Sequence, residues 1–362
     1  MIRVLVAEDS STARALLVEI LSSAPDGLTV VGEARNGLEA IEMTKRLRPD
    51  VVTMDIRMPL LDGLEATRRI LRDVPTPVVV VSGSDVLEVE TSLEALRAGA
   101  LAVLEKPAGP GATGFEERRR SLLDTVRAMA GVKVIRRFPD RSASPTAAPA
   151  PASLEPGRAR AGRGRSERVL AVAIACSTGG PAALQAILTR LPSDFPAPVL
   201  AVQHIAGGFV GGLATWLGGG SRVRVKVAEA DEPLAPGVVY LAPDGRHLGV
   251  SAASRVVISS AAPIEGFRPS ATFLFESAAR SLGPGVLAVI LTGMGRDGVE
   301  GLRRVRAVGG TVIAQDEASS VVFGMPRAAI EAGLADEVLA IEAVAQRLIE
   351  LARRDPDGGG DA

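Results

Sequence analysis

Val172 to Pro181 read V-A-I-A-C-S-T-G-G-P, five apolar residues running into a serine, a threonine, two glycines and a proline. A short continuous apolar run of this kind predicts a fully buried strand, and a proline suits the first turn of a following helix. The hydroxyl of Ser177 then stands at the strand end, where a serine is either a helix N-cap or a nucleophile. Working outward, apolar runs at 169–175, 198–203, 286–291 and 310–314 alternate with helical patterns at 180–190, 208–217, 270–282, 298–308 and 341–353. Between them, 222–260 holds shorter β-like runs broken by A-P-G and A-P-D-G turns. The alternation predicts an α/β fold, a doubly wound parallel sheet with a β-rich insertion.

The first 107 residues repeat the pattern independently. Apolar runs at Arg3–Ala7, Thr29–Ala34, Asp50–Met54, Pro77–Ser82 and Ala102–Glu105 alternate with helical spacing at Ser11–Leu21, Gly37–Arg46, Asp62–Arg72 and Val89–Ala98. This predicts a second doubly wound parallel sheet, in which ligands gather at the carboxyl ends of the strands. Those ends carry Glu8 and Asp9, Asp55, Ser82 and Lys106. Carboxylates so crowded repel one another unless a hard cation lies between them, and an oxygen-only set suits Mg²⁺. Asp55 is then the group that attacks a phosphoryl donor, and Lys106 pairs with the product. The alternative is that strand-end acids such as Asp9 simply cap the next helix, which leaves the other four positions without a reason.

Helical spacing at 115–130 closes this unit, and the composition then changes. Ser142 to Pro156 is nearly all Ala, Pro and Ser, and Gly157 to Arg168 holds five arginines against one glutamate. Such segments bury too little apolar surface to offset their ordering entropy. The expected organisation is a first domain over 1–131, a flexible linker over 132–168, a second domain over 169–354 and a disordered tail over 355–362. Net charge is −1 over 362 residues, which gives no long-range attraction for nucleic acid. No run approaches the roughly 20 apolar residues of a membrane span. One cysteine excludes an internal disulfide and fits a reducing cytoplasm; a monomer is expected.

A serine nucleophile needs a base, and the base needs an orienting group. The chain has two histidines: His204 ends the strand V-L-A-V-Q-H, whereas His247 lies in the insertion. His204 shares strand-end placement with Ser177 and is the preferred base. For the orienting acid, Asp297 follows the strand at 286–292 and opens a helix, where it could equally be an N-cap. Asp316 ends the last strand as a weaker competitor, while Asp194, Asp231 and Asp244 lie in loops. The glycines around Met294 let backbone N–H groups approach a substrate oxygen, as an oxyanion hole requires. Gly293 to Gly298 also spells G-x-G-x-x-G, the dinucleotide fingerprint, but late in the domain and with Asp297 where pyrophosphate would sit. Cys176 is an alternative nucleophile on side-chain chemistry, although strand parity turns it away from Ser177.

Two resemblances extend this reading. E-D-S, M-D-I-x-M-P, D-G-L, V-S-G and E-K-P-A in the first 107 residues resemble the receiver domain of two-component response regulators. That resemblance implies phosphorylation of Asp55, Mg²⁺ held with Glu8 and Asp9, and phosphoryl contacts from Ser82 and Lys106. Two residues depart from the pattern: Val103 stands where a switch aromatic is frequent, and Arg57 where shorter or acidic side chains are. S-T-G-G-P, Q-H-I, A-P-D-G-R-H, R-P-S, L-T-G-M-G-R-D-G and A-Q-D-E-A-S-S-V-V-F-G-M-P-R are similar to the chemotaxis protein-glutamate methylesterase family, CheB, over roughly 169–352. This implies Ser177 as nucleophile, His204 as general base and Asp297 as its orienter, with Thr178 and Met294 beside the reacting centre. It further implies methylated chemoreceptors as substrate, a chemotaxis histidine kinase as phosphodonor, glutaminase activity and no metal in the esterase site. Ala175 and Cys176 depart mildly from that family's first motif, and Phe267 replaces a frequent histidine.

Overall fold

The computed structural model describes residues 1–24, 27–83, 94–96, 98–112, 114–132 and 168–354. The expected linker and tail fall almost entirely outside these residues, as does most of the helix anticipated at Val89–Ala98, of which 94–96 are described and helical.

The first sheet contains β1 (Ile2–Ala7), β2 (Leu28–Ala34), β3 (Val51–Met54), β4 (Val78–Ser82) and β5 (Ala102–Glu105). All its pairings are parallel, in the order β2-β1-β3-β4-β5. The order reverses between β1 and β3, which opens a crevice at their carboxyl ends. Helices α1 (Ser11–Ser22), α2 (Gly37–Leu47), α3 (Gly63–Asp73) and α4 (Phe115–Ala130) cover its faces. The first three begin at Ser10, Asn36 and Asp62, each accepting a backbone N–H three residues on. Ser10 therefore caps α1, and Asp9 is not used as a cap.

The second sheet has seven strands, all parallel: β6 (Ala171–Cys176), β7 (Val199–Gln203), β8 (Arg224–Val227), β9 (Val238–Leu241), β12 (Val286–Ile290), β13 (Thr311–Gln315) and β14 (Glu337–Leu339). Their order is β14-β13-β12-β6-β7-β9-β8, so the chain reverses direction across the sheet between β6 and β12. Among the described residues, only β10 (His247–Val250) and β11 (Val256–Ser259) stand apart from the two sheets, as an antiparallel hairpin. The β-rich insertion is thus smaller than the turn pattern suggests, because β8 and β9 extend the main sheet.

Alternation along β6 sorts the core. Val172, Ile174 and Cys176 belong to the cluster shared with Leu184 and Ile187 of α5 (Gly180–Leu188), Leu213 of α6 (Val210–Gly220) and Leu348 of α10 (Ile341–Ala352). Ala171, Ala173 and Ala175 face the other way, toward α7 (Ala271–Leu282), α8 (Val299–Ala307) and α9 (Met325–Glu331). The small side chains on that face let α7 and α8 lie close to the sheet and to each other. At their crossing, a Cβ on Gly301 would come within 2.7 Å of Thr272 O. The two halves of the chain also touch: Ala95, Ala100 and Val103 fall in the same buried cluster as Ile174, and Val321 and Val322 pack against the cluster around Leu122 and Val126.

Candidate functional site

The switch point of the second sheet gathers the polar residues anticipated there. β6 and β7 pair Cys176 with Gln203, so Ser177 and His204 leave adjacent strands at the same height. His204 N donates to Cys176 O at 3.0 Å, and Ser177 N donates to Thr292 O at 3.0 Å across the β6–β12 gap. Gln203 fixes both strand ends, its Nε2 donating at 2.8 Å to Ser177 O and to His204 O. Its Oε1 leaves no room for a side chain at the start of α5, since a Cβ on Gly180 would lie 2.0 Å away. Helix α5 begins at Gly179 with no side-chain cap, so the Ser177 hydroxyl is not consumed in capping.

Asp297 is only 1% exposed. It does not cap its own helix; Gly298 precedes α8, and the Asp297 carboxylate turns to the start of α7 instead. Oδ1 accepts from Ser270 Oγ at 2.9 Å and Thr272 N at 3.1 Å. Oδ2 accepts from Ala271 N at 2.7 Å and meets His204 Nε2 at 3.0 Å. The first N–H groups of a helix lack intrahelical partners and carry partial positive charge, so they suit a carboxylate. Burial alone would push the Asp297 carboxyl up; the hydrogen bond and charge of His204, with the α7 amides, bring it below the usual carboxylate range.

The His204 ring is stacked on Phe267, with centroids 4.4 Å apart and planes at 15°. With Nε2 engaged by Asp297, Nδ1 is the ring nitrogen left over, buried and without a partner. The structure does not join Ser177 Oγ to the ring by a hydrogen bond, a contact that is often long before substrate binds. Among the described residues, the backbone N–H groups of Thr178 and Met294 donate to no other protein group. Ser177, Thr178, His204, Phe267 and Met294 line one cavity of about 660 Å³. Its far wall comes from the first half of the chain, with Leu104 and Glu105 at the end of β5 and Arg118, Ser121 and Asp124 on α4.

The other candidates separate cleanly. His247 is buried away from Ser177, its ring stacked on Phe273 and its nitrogens bonded to Ala262 O and Ser270 N. Cys176 is fully buried, donates to Gln203 Oε1 at 3.1 Å, and burial pushes its thiol well up, which suits an inert packing residue. Asp316 holds the Ser319 N–H and hydroxyl in the turn after β13. In the G-x-G-x-x-G segment, Gly293 N donates to Val322 O and Gly293 O accepts from Gly324 N and Met325 N, so the first glycine is tied into the fold, and the Asp297 carboxylate is buried against α7. Sequence reasoning passed over Gln203, Ser270, Thr272 and Thr292. The motifs Q-H-I and R-P-S contained the first two, but the α7 amides leave no side-chain signal.

In the first half, Glu8, Asp9 and Asp55 meet at the β1/β3 switch point with ligand atoms within 4.8 Å of one another. Lys106 Nζ donates to Glu8 Oε1 at 3.3 Å and lies 3.0 Å from Glu8 Oε2 and 2.9 Å from Asp55 Oδ1, two oxygens that have no aligned hydrogen bond. Burial pushes both the Glu8 and Asp55 carboxyls up, only partly offset by Lys106. Two raised carboxyls with poorly aligned oxygens are what a divalent cation would relieve, so the residues fit Mg²⁺. Ser82 is buried at the end of β4, and its carbonyl accepts from Lys106 N at 2.8 Å. Val103 is buried and Arg57 exposed.

The fold and these two crevices define a two-part response regulator whose second half carries an acid–imidazole–hydroxyl site. The family model for the response regulator receiver domain matches residues 4–113, and that for CheB methylesterase matches residues 172–348. A protein-glutamate methylesterase/protein-glutamine glutaminase of Myxococcus xanthus is 58% identical over 96% of both chains. One from Anaeromyxobacter dehalogenans is 53% identical over 98% of this chain and all of its own. The crystal structure of the Thermotoga maritima CheB methylesterase catalytic domain is 44% identical, covering 50% of this chain and 98% of that one with a TM-score of 0.49. The chain belongs to the protein-glutamate methylesterase/protein-glutamine glutaminase family.

The depressed Asp297 carboxyl has a stability consequence. Its contribution is present above the unfolded value of about 3.9 and is lost as pH falls through the lower folded value. Asp297→Asn is therefore expected to cost about 2–3 kcal/mol in urea denaturation at pH 7. The gap from wild type should narrow as pH falls below about 4, and a gap that does not depend on pH would contradict the assignment.

Proposed function

We propose that this protein hydrolyses glutamyl γ-methyl esters on chemoreceptors, and deamidates receptor glutamines, through Ser177, His204 and Asp297. The observation that carries the reading is the buried Asp297 carboxylate bonded to His204 beside Ser177. Ser177 Oγ attacks the ester carbonyl carbon while Nδ1 of His204 takes its proton. Asp297 stabilises the imidazolium that forms. The backbone N–H of Met294, with that of Thr178, faces the developing oxyanion, where one such donor is worth about 3–4 kcal/mol. The tetrahedral species collapses as His204 returns the proton to the leaving methanol, or to ammonia for a glutamine. Water then adds to the acyl-Ser177, again losing its proton to His204. Collapse releases glutamate and restores the Ser177 hydroxyl. None of these steps calls for a metal in the esterase site.

Control lies in the first half. Asp55 takes the phosphoryl group from a chemotaxis histidine kinase, and Ser82 and Lys106 contact it there. Glu8, Asp9 and Asp55 would hold Mg²⁺, which when bound screens the charge of the incoming phosphoryl group. Lys106 now pairs with Asp55 and Glu8, and a phosphoryl group would draw it away. The receiver unit forms one wall of the Ser177 cavity, so displacing it widens access to the serine. Phosphorylation then acts as a population shift between docked and released arrangements. The working division is a receiver over 1–131, a linker over 132–168, a catalytic unit over 169–354 and a tail over 355–362. Among the described residues no helix is long and apolar enough to cross a membrane. The lone buried cysteine and the kinase partner fit action in the cytoplasm.

Methanol release from methylated receptor tests the chemistry. Ser177→Ala is expected to lose at least about a thousandfold in rate; a variant as fast as wild type would leave the second unit as a binding module. With a small-molecule phosphodonor and Mg²⁺, wild type should accelerate and Asp55→Ala should not. Equal acceleration of both would remove the proposed switch.

A further inference from the structure

The reading above leaves His247 without a role, yet it is fully buried and both of its ring nitrogens are bonded. It opens β10, and its ring stacks on Phe273 of α7 with centroids 4.7 Å apart and planes at 17°. Nε2 meets the carbonyl of Ala262 at 3.1 Å. A carbonyl only accepts, so Nε2 carries the proton and Nδ1 of the neutral ring is an acceptor. Nδ1 takes the backbone N–H of Ser270 at 3.2 Å.

Ser270 is the residue on which the start of α7 turns. Its hydroxyl accepts from Phe273 N and donates to Asp297 Oδ1, and the two N–H groups that follow it also donate to Asp297. The imidazole therefore pins the backbone N–H immediately before the pair that holds the carboxylate. The far end of β10 grips the same helix, since Ser277 Oγ bonds both N and O of Val250, and Ser281 Oγ donates to Val250 O. We infer that His247 is a positioning residue, a neutral Nε2–H imidazole that sets the first turn of α7 and, through Ser270 and Asp297, the orientation of His204. The outlying hairpin is then a clamp on the helix that carries the carboxylate site.

This inference rests on the Ser177–His204–Asp297 reading, and a double-mutant cycle on the full chain separates the two. His247→Leu removes both ring bonds while keeping an apolar side chain. With Asp297 present it is expected to lower kcat for ester hydrolysis by about ten- to a hundredfold, with KM changed less than about twofold. In an Asp297→Ala background it should lower kcat no further, because the residue acts through that carboxylate. His247→Asn restores an acceptor where Nδ1 stands and should stay within about threefold of wild type. His247→Gln offers a donor where Nε2 stands, no acceptor for Ser270, and should behave like the leucine variant. If His247→Leu fails to fold by circular dichroism, His247→Gln takes its place in the cycle. Equal losses with and without Asp297, no loss at all, or an asparagine variant as slow as the glutamine one would overturn the inference. Ser177→Ala, run alongside, tells the failures apart. If it matches wild type the hydrolase reading falls; if it is inactive while the cycle is additive, only the role of His247 falls.

Discussion

A carboxylate almost wholly removed from water is costly unless its oxygens are fully engaged, and Asp297 meets that condition with donors from two separate parts of the fold. It arrives on the loop after β12, receives two amides and a hydroxyl at the start of α7, and faces the imidazole at the end of β7. Each donor requires another element to be in place. Helix α7 reaches the carboxylate because it lies on the alanine face of β6, and α8 follows closely because Gly301 admits Thr272 at the crossing. The register of β6 with β7 then brings His204 level with Ser177. The arrangement of the second sheet thus converges on one buried charge.

Both sheets use the same device at different chemical settings. In each, polar residues leave the carboxyl ends of strands flanking a reversal of strand order, the place where parallel sheets leave a crevice. At Asp297 the negative charge is held by hydrogen bonds from two amides, a hydroxyl and the imidazole, and the carboxyl is depressed. At Asp55 and Glu8 burial leaves both carboxyls raised, with a single lysine between them. In the reading proposed above, the first is a finished site that orients a base and the second is one that would take up a cation and a phosphoryl group. The sites are joined physically by the shared cavity wall and by Val321 and Val322. Those valines pack toward the receiver core while Val322 N and O bond Thr292 Oγ1 and Gly293 N beside Ser177.

Much of this was legible in the chain because buried parallel strands are nearly uninterrupted apolar runs, and the first polar residue after each run lands in the crevice. Ser177 and Asp55 follow that rule directly, whereas His204, Lys106 and Asp297 lie one to five residues beyond the first polar position. It failed where the apolar signal is weak. R-V-K-V at 224–227 alternates and reads as part of an insertion, yet it is the edge strand of the main sheet. E-V-L at 337–339 is too short to register. The helical role of Asp297 was legible only in part, since the expected N-cap belongs to a different helix from the one it precedes. Backbone amides carry no residue-type signal, so the way Ala271 and Thr272 hold the carboxylate needed three-dimensional placement. The same holds for Gln203, whose bonds to Ser177 O and His204 O follow from strand register.

The central claim is that Asp297 makes His204 a base for Ser177, and labelling of the serine reads it most directly. A fluorophosphonate, which forms a stable adduct only with an activated hydroxyl, is applied to the full chain and the adduct is located by peptide mass spectrometry. The account predicts a single adduct, on Ser177, and a labelling rate at least about a hundredfold lower in Asp297→Ala. An adduct on another residue, or equal labelling of the two proteins, would contradict it.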